Sequence, residues 1–306
     1  MWFKNLVIYR LPADWSVSAA QLEEKLGERT LQPCGSFDMA SRGWVAPSDA
    51  QRLVHTTNGN HLIALGVEQK LLPGSIIKQI AQDRAKLLEE QQGYPVGRRQ
   101  MRELRERVTE ELRARALTRR RITRAWIDPT NGWFIVDAAG APRAEELVET
   151  LRDTLGTLQV QMLETDRSPA SAMAAWLVLG DAPLRFTIDQ DLELQTADKT
   201  KATVRYVHHP LEGKEIQAHI SSGKYPTRLG LTWNDRIAFV LTDKLQVKRV
   251  DFLEMVKDKA EGEDSQQSAE EQFDIDFTLM CGELTQLLAD LSETLGGEPA
   301  QQKAAA

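Results

Sequence analysis

The segment WIDPTNGWFIVD, residues 126–137, places two runs of β-prone apolar residues on either side of Asn131-Gly132. Asn-Gly pairs readily adopt the positive φ angles that tight hairpin turns require. Two further stretches share this design, residues 53–67 with Asn58-Gly59 and residues 229–242 with Asn234-Asp235. The three stretches predict β-hairpins, and therefore antiparallel or mixed sheets.

Between the first two hairpins the apolar residues recur with the period of a helix. One helix is predicted from Ile76 to Leu88 and a second from Met101 to Leu112, because the intervening GYPVG at 93–97 cannot continue a helix. The two form an αα-hairpin, a projecting finger whose arms are each about 25–30 Å long at about 1.5 Å per residue.

The remaining elements follow from periodicity and capping residues. We predict strands at 3–10, 184–188, 202–207 and 246–250, helices at 18–26, 144–155 and 211–222, an acidic solvated connection at 261–271, and a long C-terminal helix with an apolar stripe from Phe277 to Leu295. The fold class is α+β. The predicted domains are a central domain of residues 1–75 plus 118–165, the helical finger at 76–117, and a base domain at 166–306.

Composition limits the class of protein. The chain has 306 residues, of which 42% are apolar and 27% charged, enough for two or three compact units. Cys34 and Cys281 are far apart and belong to no CxxC or Cys/His cluster, so neither a disulfide framework nor a zinc site is expected. No run of about 18 uncharged apolar residues occurs. We expect a cytoplasmic, nucleoid-associated protein without a membrane span.

Charge is distributed unevenly along the chain. The net charge is −7, yet residues 84–124 hold 13 Lys/Arg against six Glu, while residues 251–306 hold three Lys against 14 Asp/Glu. Three pairs, Arg99/Glu103, Arg102/Glu106 and Arg107/Glu111, have the i,i+4 spacing of ion pairs on a solvated helix. From 113 to 124, six arginines follow without any acidic residue. Such a run favours a polyanionic partner.

A second basic excess lies in residues 199–249, with ten Lys/Arg against four acidic residues. The structural alternative is that these lysines protect an edge strand from pairing with another chain. Neither basic region has aromatic residues interleaved in sequence, as single-strand stacking platforms would require. The pattern therefore predicts sequence-independent binding to phosphates. The candidate DNA-binding residues here are Arg98, Arg99, Arg102, Arg105, Arg113, Arg119, Arg120, Arg121, Arg124, Lys199, Lys201 and Arg205.

Enzymatic motifs are missing from the sequence. There is no GxxxxGK[ST], GxGxxG after a strand, HExxH or GxSxG. His208 and His209, adjacent on a presumed strand, would point to opposite faces and could not easily share a metal. Asp274, Asp276 and Glu283 could hold the magnesium of a nuclease, but at the start of a long helix acidic residues more simply complement the helix dipole. We expect no catalytic residues, metal or cofactor.

Several motifs in a fixed order resemble the RdgC family of recombination-associated proteins over almost the whole chain. They are WFKNL at 2–6, PCGS at 33–36, GWV at 43–45, WID at 126–128 with Asn131-Gly132, and the segment from Phe273 through Gly282 to Gly297. The resemblance implies a ring-shaped homodimer that encircles duplex DNA through a basic channel and limits RecA-promoted strand exchange. It also implies roles by position for Arg115, for Leu117 at a dimer gate, and for His208-His209 in DNA binding.

The sequence departs from the family at two of these places. An aromatic residue is expected at Leu117, and Lys-Gln at His208-His209, so the gate is expected to be looser and the channel charge to rise below about pH 6.5. Two alternatives stay open: a protein-docking regulator that contacts the recombinase directly, and a magnesium-dependent nuclease. Single-stranded DNA stays open as a further ligand.

Overall fold

The computed structural model describes residues 1–254, 256 and 268–299. They form helices and strands in the predicted α+β class. The helices are α1 (Ala19–Gly27), α2 (Gly74–Gln92), α3 (Arg98–Arg115), α4 (Ala141–Leu155), α5 (Pro169–Leu179), α6 (Lys214–Ser221) and α7 (Ala269–Thr294). The strands are β1 (Asn5–Arg10), β2 (Ala40–Val45), β3 (Val54–Thr57), β4 (Asn60–Lys70), β5 (Thr118–Asp128), β6 (Trp133–Asp137), β7 (Gln161–Met162), β8 (Phe186–Thr196), β9 (Thr203–Tyr206), β10 (Lys224–Trp233), β11 (Ile237–Thr242) and β12 (Val247–Phe252).

The chain divides into two compact units. The larger unit contains residues 1–25, 46–63 and the described residues from 123 onward, and the smaller unit contains residues 26–45 and 64–122. Strands β4 and β5 each continue along the chain from one unit into the other. The predicted division into central domain, finger and base domain has different boundaries and stays a prediction.

The larger unit is built on a large antiparallel sheet. Its strand order is β5-β6-β1-β12-β11-β10-β8-β9, with β7 added beside β1 and β3 paired with the first residues of β4. Strand β1 lies between β6 and β12, so residues from the start of the chain, its middle and its last third are neighbours. Five of the ten basic residues of the second basic region lie on β9, β10 and β12 of this sheet.

The three predicted hairpins form, but their turns differ. Thr57 pairs with Asn60, so Asn58 and Gly59, both at positive φ, make the expected two-residue turn. The other two loops are longer, closing at the pairs Asp128–Trp133 and Trp233–Ile237.

The loop between β5 and β6 is organised by a carboxylate. Buried Asp128 accepts hydrogen bonds from the backbone N–H groups of Thr130 (3.1 Å) and Asn131 (3.0 Å) and from the Asn131 side-chain amide (2.7 Å). Only Gly132 in this loop has positive φ. The tight Asn-Gly turn predicted at this hairpin was therefore wrong, since Asp128 supplies the turn interactions.

The C-terminal helix α7 completes the core of the larger unit. Its predicted stripe is fully buried, including Phe277, Leu284 and Leu291, and the chain leaves the helix at Gly296. The helix begins earlier than expected, with Ser268 and Glu271 in a reciprocal capping box. The end of the predicted acidic connection is therefore helical, and its residues 261–267 lie outside the described residues.

Helix α5 was not predicted. Ser168 caps it by accepting a hydrogen bond from the N–H of Ser171, and Pro169 occupies the first turn. The helix is apolar on all sides and buries Met173 and Trp176, so it lacks the polar face that reveals an amphipathic helix. No helix in the described residues is both long and apolar enough to cross a membrane.

The smaller unit contains the predicted αα-hairpin. Helices α2 and α3 have 19 and 18 residues and pack against each other through residues that include Ala81, Ala85 and Val108. The break is as predicted: Gly93, at φ +79°, ends α2 and donates its N–H to the carbonyl of Glu89.

Strand β2, also unpredicted, is held by a close backbone approach. Trp44 exchanges hydrogen bonds with the chain at Arg29 and Leu31. A Cβ atom on the neighbouring Gly43 would lie 2.4 Å from the backbone nitrogen of Leu31, so only glycine fits there.

Candidate nucleic-acid interface

The first basic region lies on α3 and at the start of β5. Two of the three predicted i,i+4 ion pairs form, Arg99–Glu103 at 3.1 Å and Arg102–Glu106 at 3.0 Å. These pairs are solvent-exposed and contribute little to stability. Arg98 and Arg105, also on α3, are exposed.

The third predicted pair, Arg107–Glu111, was wrong. The Glu111 carboxylate instead accepts two hydrogen bonds from the guanidinium group of Arg84 on α2, in a bidentate arrangement with distances of 3.0 and 2.6 Å. These hydrogen bonds lower the pKa of the Glu111 carboxyl. A planar guanidinium group can bind both oxygens of a carboxylate at once. Arg84 on α2 provides this geometry.

Three guanidinium groups beyond Glu111 have no counter-ion in the described part of the chain. Arg115 ends α3, and Arg119 and Arg120 lie on β5; all three side chains are exposed, and no described carboxylate lies within 4.0 Å of them. Glu111 interacts with Arg115 only through longer-range electrostatics. We call Arg115, Arg119 and Arg120 the exposed arginine set.

The other arginines of this run are partly engaged. Arg113 donates to the carbonyl of Phe37 at 3.3 Å in the smaller unit, and Arg124 donates to the carbonyl of Pro47 at 3.3 Å in the larger unit. Arg121 is half-buried and has an interaction partner. Successive strand residues point to opposite faces, so Arg120 faces away from Arg119 and Arg121. The six arginines predicted as one unneutralised run therefore do not form a single surface.

The second basic region begins at the turn between β8 and β9. Asp198 accepts hydrogen bonds from the backbone N–H groups of Thr200 (3.1 Å) and Lys201 (3.2 Å) and from the Thr196 hydroxyl (2.8 Å). The hydroxyls of Thr200 and Thr196 lower the pKa of the Asp198 carboxyl. The turn that displays the exposed Lys199 and Lys201 is therefore organised by a charge that stays negative.

Arg205, on β9, is only partly available. Its Nε lies 3.6 Å from a carboxylate oxygen of Glu193 on the paired strand β8, and Arg228 on β10 lies 3.7 Å from the other oxygen. One carboxylate is thus shared by two arginines across three strands, which leaves a net positive charge there.

His208 and His209 lie after β9, not within a strand, so the prediction of opposite strand faces was wrong. The His208 N–H donates to Asp191 at 3.2 Å, and the His209 N–H donates to the carbonyl of Gln190 at 3.1 Å. The His209 ring stacks at a tilt on Tyr206, with centroids 5.3 Å apart. The backbone of both histidines is anchored on β8 and their rings are exposed.

The fold also gathers cations that were counted in sequence but not assigned to the interface. Burial, followed by repulsion from Arg228 and Lys244, lowers the pKa of Lys248. The three side chains therefore lie close enough to repel one another. Pairing of β10 with β11 and of β11 with β12 brings them together, a long-range effect without a local sequence signal.

The three carboxylates of the nuclease alternative have separate partners. Asp274 lies 2.9 Å from the His55 ring, Asp276 pairs with the amino group of Met1, and Glu283 pairs with Arg236 at 3.0 Å. Because α7 begins at Ala269, Asp274 and Asp276 lie beyond its first turn, so their predicted role at the helix dipole was wrong. The described residues contain no group of three or more His, Cys, Asp or Glu placed to hold a metal ion.

Comparison with known proteins gives consistent matches along the chain. The family model RdgC, described as "Putative exonuclease, RdgC", matches residues 1–298. A "Recombination-associated protein RdgC" from Dechloromonas aromatica is 52% identical over 99% of this chain and 100% of its own. Proteins of the same name from Cupriavidus pinatubonensis and Bordetella pertussis are 49% and 46% identical, each over 97% of this chain and 99% of their own.

Proposed function

The chain belongs to the RdgC family, and from this premise we propose that it is a sequence-independent DNA-binding protein that encircles duplex DNA as a ring-shaped homodimer. The observation that carries the proposal is the exposed arginine set. Three guanidinium groups without a described counter-ion, in a chain of net charge −7, favour a polyanion as their partner.

The character of the basic residues supports sequence-independent binding. The exposed arginine set, the Lys199–Lys201 turn and the group of Arg228, Lys244 and Lys248 present positive charge from a helix end, from strands and from turns. Contacts of this kind engage phosphates and release counter-ions, so they give affinity that depends on salt and not on sequence.

A ring would reconcile the acidic composition with DNA binding. If the basic residues of two subunits face a central hole and the acidic residues face outward, the duplex meets positive charge alone. Closure around the duplex keeps weak phosphate contacts engaged, as linked binding sites do. Leu117, 78% exposed, would contribute to the gate between subunits, and the exposed His208 and His209 would line the channel.

Occupancy of the DNA would then limit RecA-promoted strand exchange, because the two proteins compete for the same duplex. The experiment compares release from a relaxed covalently closed circle with release from the same DNA after linearisation. A ring should dissociate slowly from the circle and slide off the linear form, and native mass measurement should give a dimer. Equal release rates from both forms, or only monomers at micromolar concentration, would remove encirclement.

A direct contact with the recombinase is the competing explanation. It predicts inhibition of strand exchange that survives salt high enough to release this protein from DNA. Inhibition that disappears together with DNA binding supports occupancy of the DNA.

A second candidate function is a magnesium-dependent nuclease, favoured by the description of the family model as an exonuclease. We propose a non-enzymatic role because the candidate carboxylates Asp274, Asp276 and Glu283 each have a different partner. The test is incubation of end-labelled linear DNA with protein and magnesium. Release of labelled nucleotides that is lost in Asp276→Ala would establish the nuclease.

A further inference from the structure

The most exposed large apolar side chain in the described residues is Phe37, at 88%. It lies in the turn that precedes β2, within the smaller unit. An aromatic ring left in water does not stabilise the fold, and its flat face is available to a ligand.

The turn that carries Phe37 is firmly held. Lys70, only 5% exposed, donates from its ammonium group to the carbonyls of Gly35 (2.6 Å) and Ser36 (2.9 Å). The Gly35 N–H donates to the Asp38 carboxylate at 3.2 Å. A buried ammonium group that binds two successive carbonyls fixes the backbone, so the exposure of the ring is a property of the fold and not of a loose loop.

Backbone contacts bring this turn to the first basic region. Arg113 donates to the carbonyl of Phe37 at 3.3 Å across 76 residues of sequence. On the neighbouring strand, the N–H of Lys70 donates to Met39 and the N–H of Leu71 donates to Leu117. The fold therefore places an aromatic residue, Phe37, beside this basic region, although none is interleaved in its sequence.

We propose that Phe37 is a stacking platform for an unpaired nucleobase, with Arg113 beside it to meet an adjoining phosphate. A phenyl ring can stack on any base, and guanidinium groups neutralise the backbone, which is the chemistry of sequence-tolerant single-strand binding. The site rests on the proposed DNA-binding function and assigns the residue that would contact an unpaired base.

A second copy of the chain, which the proposed gate brings to Leu117, is a less favoured occupant of Phe37 itself. Two copies that met face to face across a twofold axis would bring the arginines around the patch toward their own counterparts. Like charges at such a contact repel unless an anion lies between them. A nucleic acid strand supplies that anion, and a base on Phe37 would compete with closure of the gate at the nearby Leu117.

The test uses the full chain and three probes of equal length, about 20 nucleotides, enough to span the site size of a typical single-strand binding surface. The probes are an oligothymidine, the same backbone without bases, and a duplex. The variants are Phe37→Ala, Phe37→Trp and Tyr94→Ala. Tyr94 is a matched control, because it is an exposed aromatic residue of the same unit, at 59%, but lies in the α2–α3 turn.

Phe37→Ala should weaken oligothymidine binding about 5- to 100-fold, the range expected for one lost base–aromatic stack. Binding of the abasic strand and the duplex should change less than about threefold, since phosphate contacts remain. Phe37→Trp should retain binding, with fluorescence quenched by oligothymidine and not by the abasic strand. Tyr94→Ala should behave as wild type.

The outcomes separate this inference from the proposed function. If wild type binds neither duplex nor single strand, DNA binding itself is wrong. If duplex binding is normal and Phe37→Ala binds oligothymidine as wild type does, only the stacking site is overturned. If Phe37→Ala instead lowers self-association in sedimentation without affecting strand binding, the patch is a contact between copies and the stacking site is again overturned.

Discussion

Replacement of the exposed arginine set, Arg115, Arg119 and Arg120, by alanine should reduce the salt dependence of duplex binding. Each guanidinium group that contacts a phosphate releases counter-ions, and the slope of log K against log salt changes by about 0.9 for each contact on B-DNA. Because Arg119 and Arg120 point to opposite faces of β5, about two of the three groups in each subunit should contact one duplex, and these four contacts in the proposed homodimer should make the slope shallower by about 3.6.

The size of this change is easy to measure. Between about 50 and 200 mM salt, a difference of about 3.6 in slope means that wild type loses roughly 150-fold more affinity than the variant does. The assay is fluorescence anisotropy with a short duplex over a salt series. Equal far-ultraviolet circular dichroism and thermal midpoints would show that the variant is folded.

The matched control replaces Arg84, Arg99 and Arg102 by alanine. It removes the same positive charge, but from groups already paired with Glu111, Glu103 and Glu106. Its slope should change by less than about 1, because no phosphate contact is lost. The reasoning is refuted if both variants change the slope equally, since net charge and not the position of unpaired arginines would then determine binding.

Three further predictions concern the fold. Burial lowers the pKa of His61, so the unfolded chain takes up a proton at a higher pH than the folded chain does. The free energy of unfolding should therefore decrease below about pH 6.5. Urea titrations should show a smaller decrease in His61→Gln. Gly43→Ala should cost about 3 kcal/mol or more, since backbone and not a side chain must move, whereas Gly27→Ala, with nothing within 4 Å, should be nearly neutral in thermal denaturation. Burial raises the pKa of the Cys281 thiol, so a chromogenic disulfide reagent should modify Cys34 alone in the native protein and both thiols after denaturation. Rapid modification of both thiols in the native protein would contradict the packing of α7.

Elements with a local signature could be predicted from the sequence. The apolar stripe of α7, the GYPVG break between α2 and α3, and the Asn58-Gly59 turn each depend on residues close together in the chain. Helix α5 and strand β2 could not be predicted in this way. The first is apolar on all sides and has no polar face, and the second depends on backbone contact with a separate segment.

The candidate interface was predictable only as a region. The count of arginines located it, but the sequence could not show that Glu111 would choose Arg84 over Arg107, because that choice depends on how α2 packs on α3. Nor could it show that Phe37 lies beside Arg113. Both facts arise from contacts between residues far apart in the chain, which local patterns do not encode.

The loop between β5 and β6 also contains a site of slow chemical degradation. Asn131 precedes Gly132, a sequence in which the asparagine amide is readily lost by cyclisation, and its amide nitrogen lies 2.7 Å from the Asp128 carboxylate. Hydrolysis would replace that donor with a second negative charge against the buried carboxylate of Asp128. Deamidation of Asn131 should therefore cause local unfolding of this loop. In preparations stored warm and at alkaline pH, the β5–β6 hairpin should unfold before the rest of the sheet.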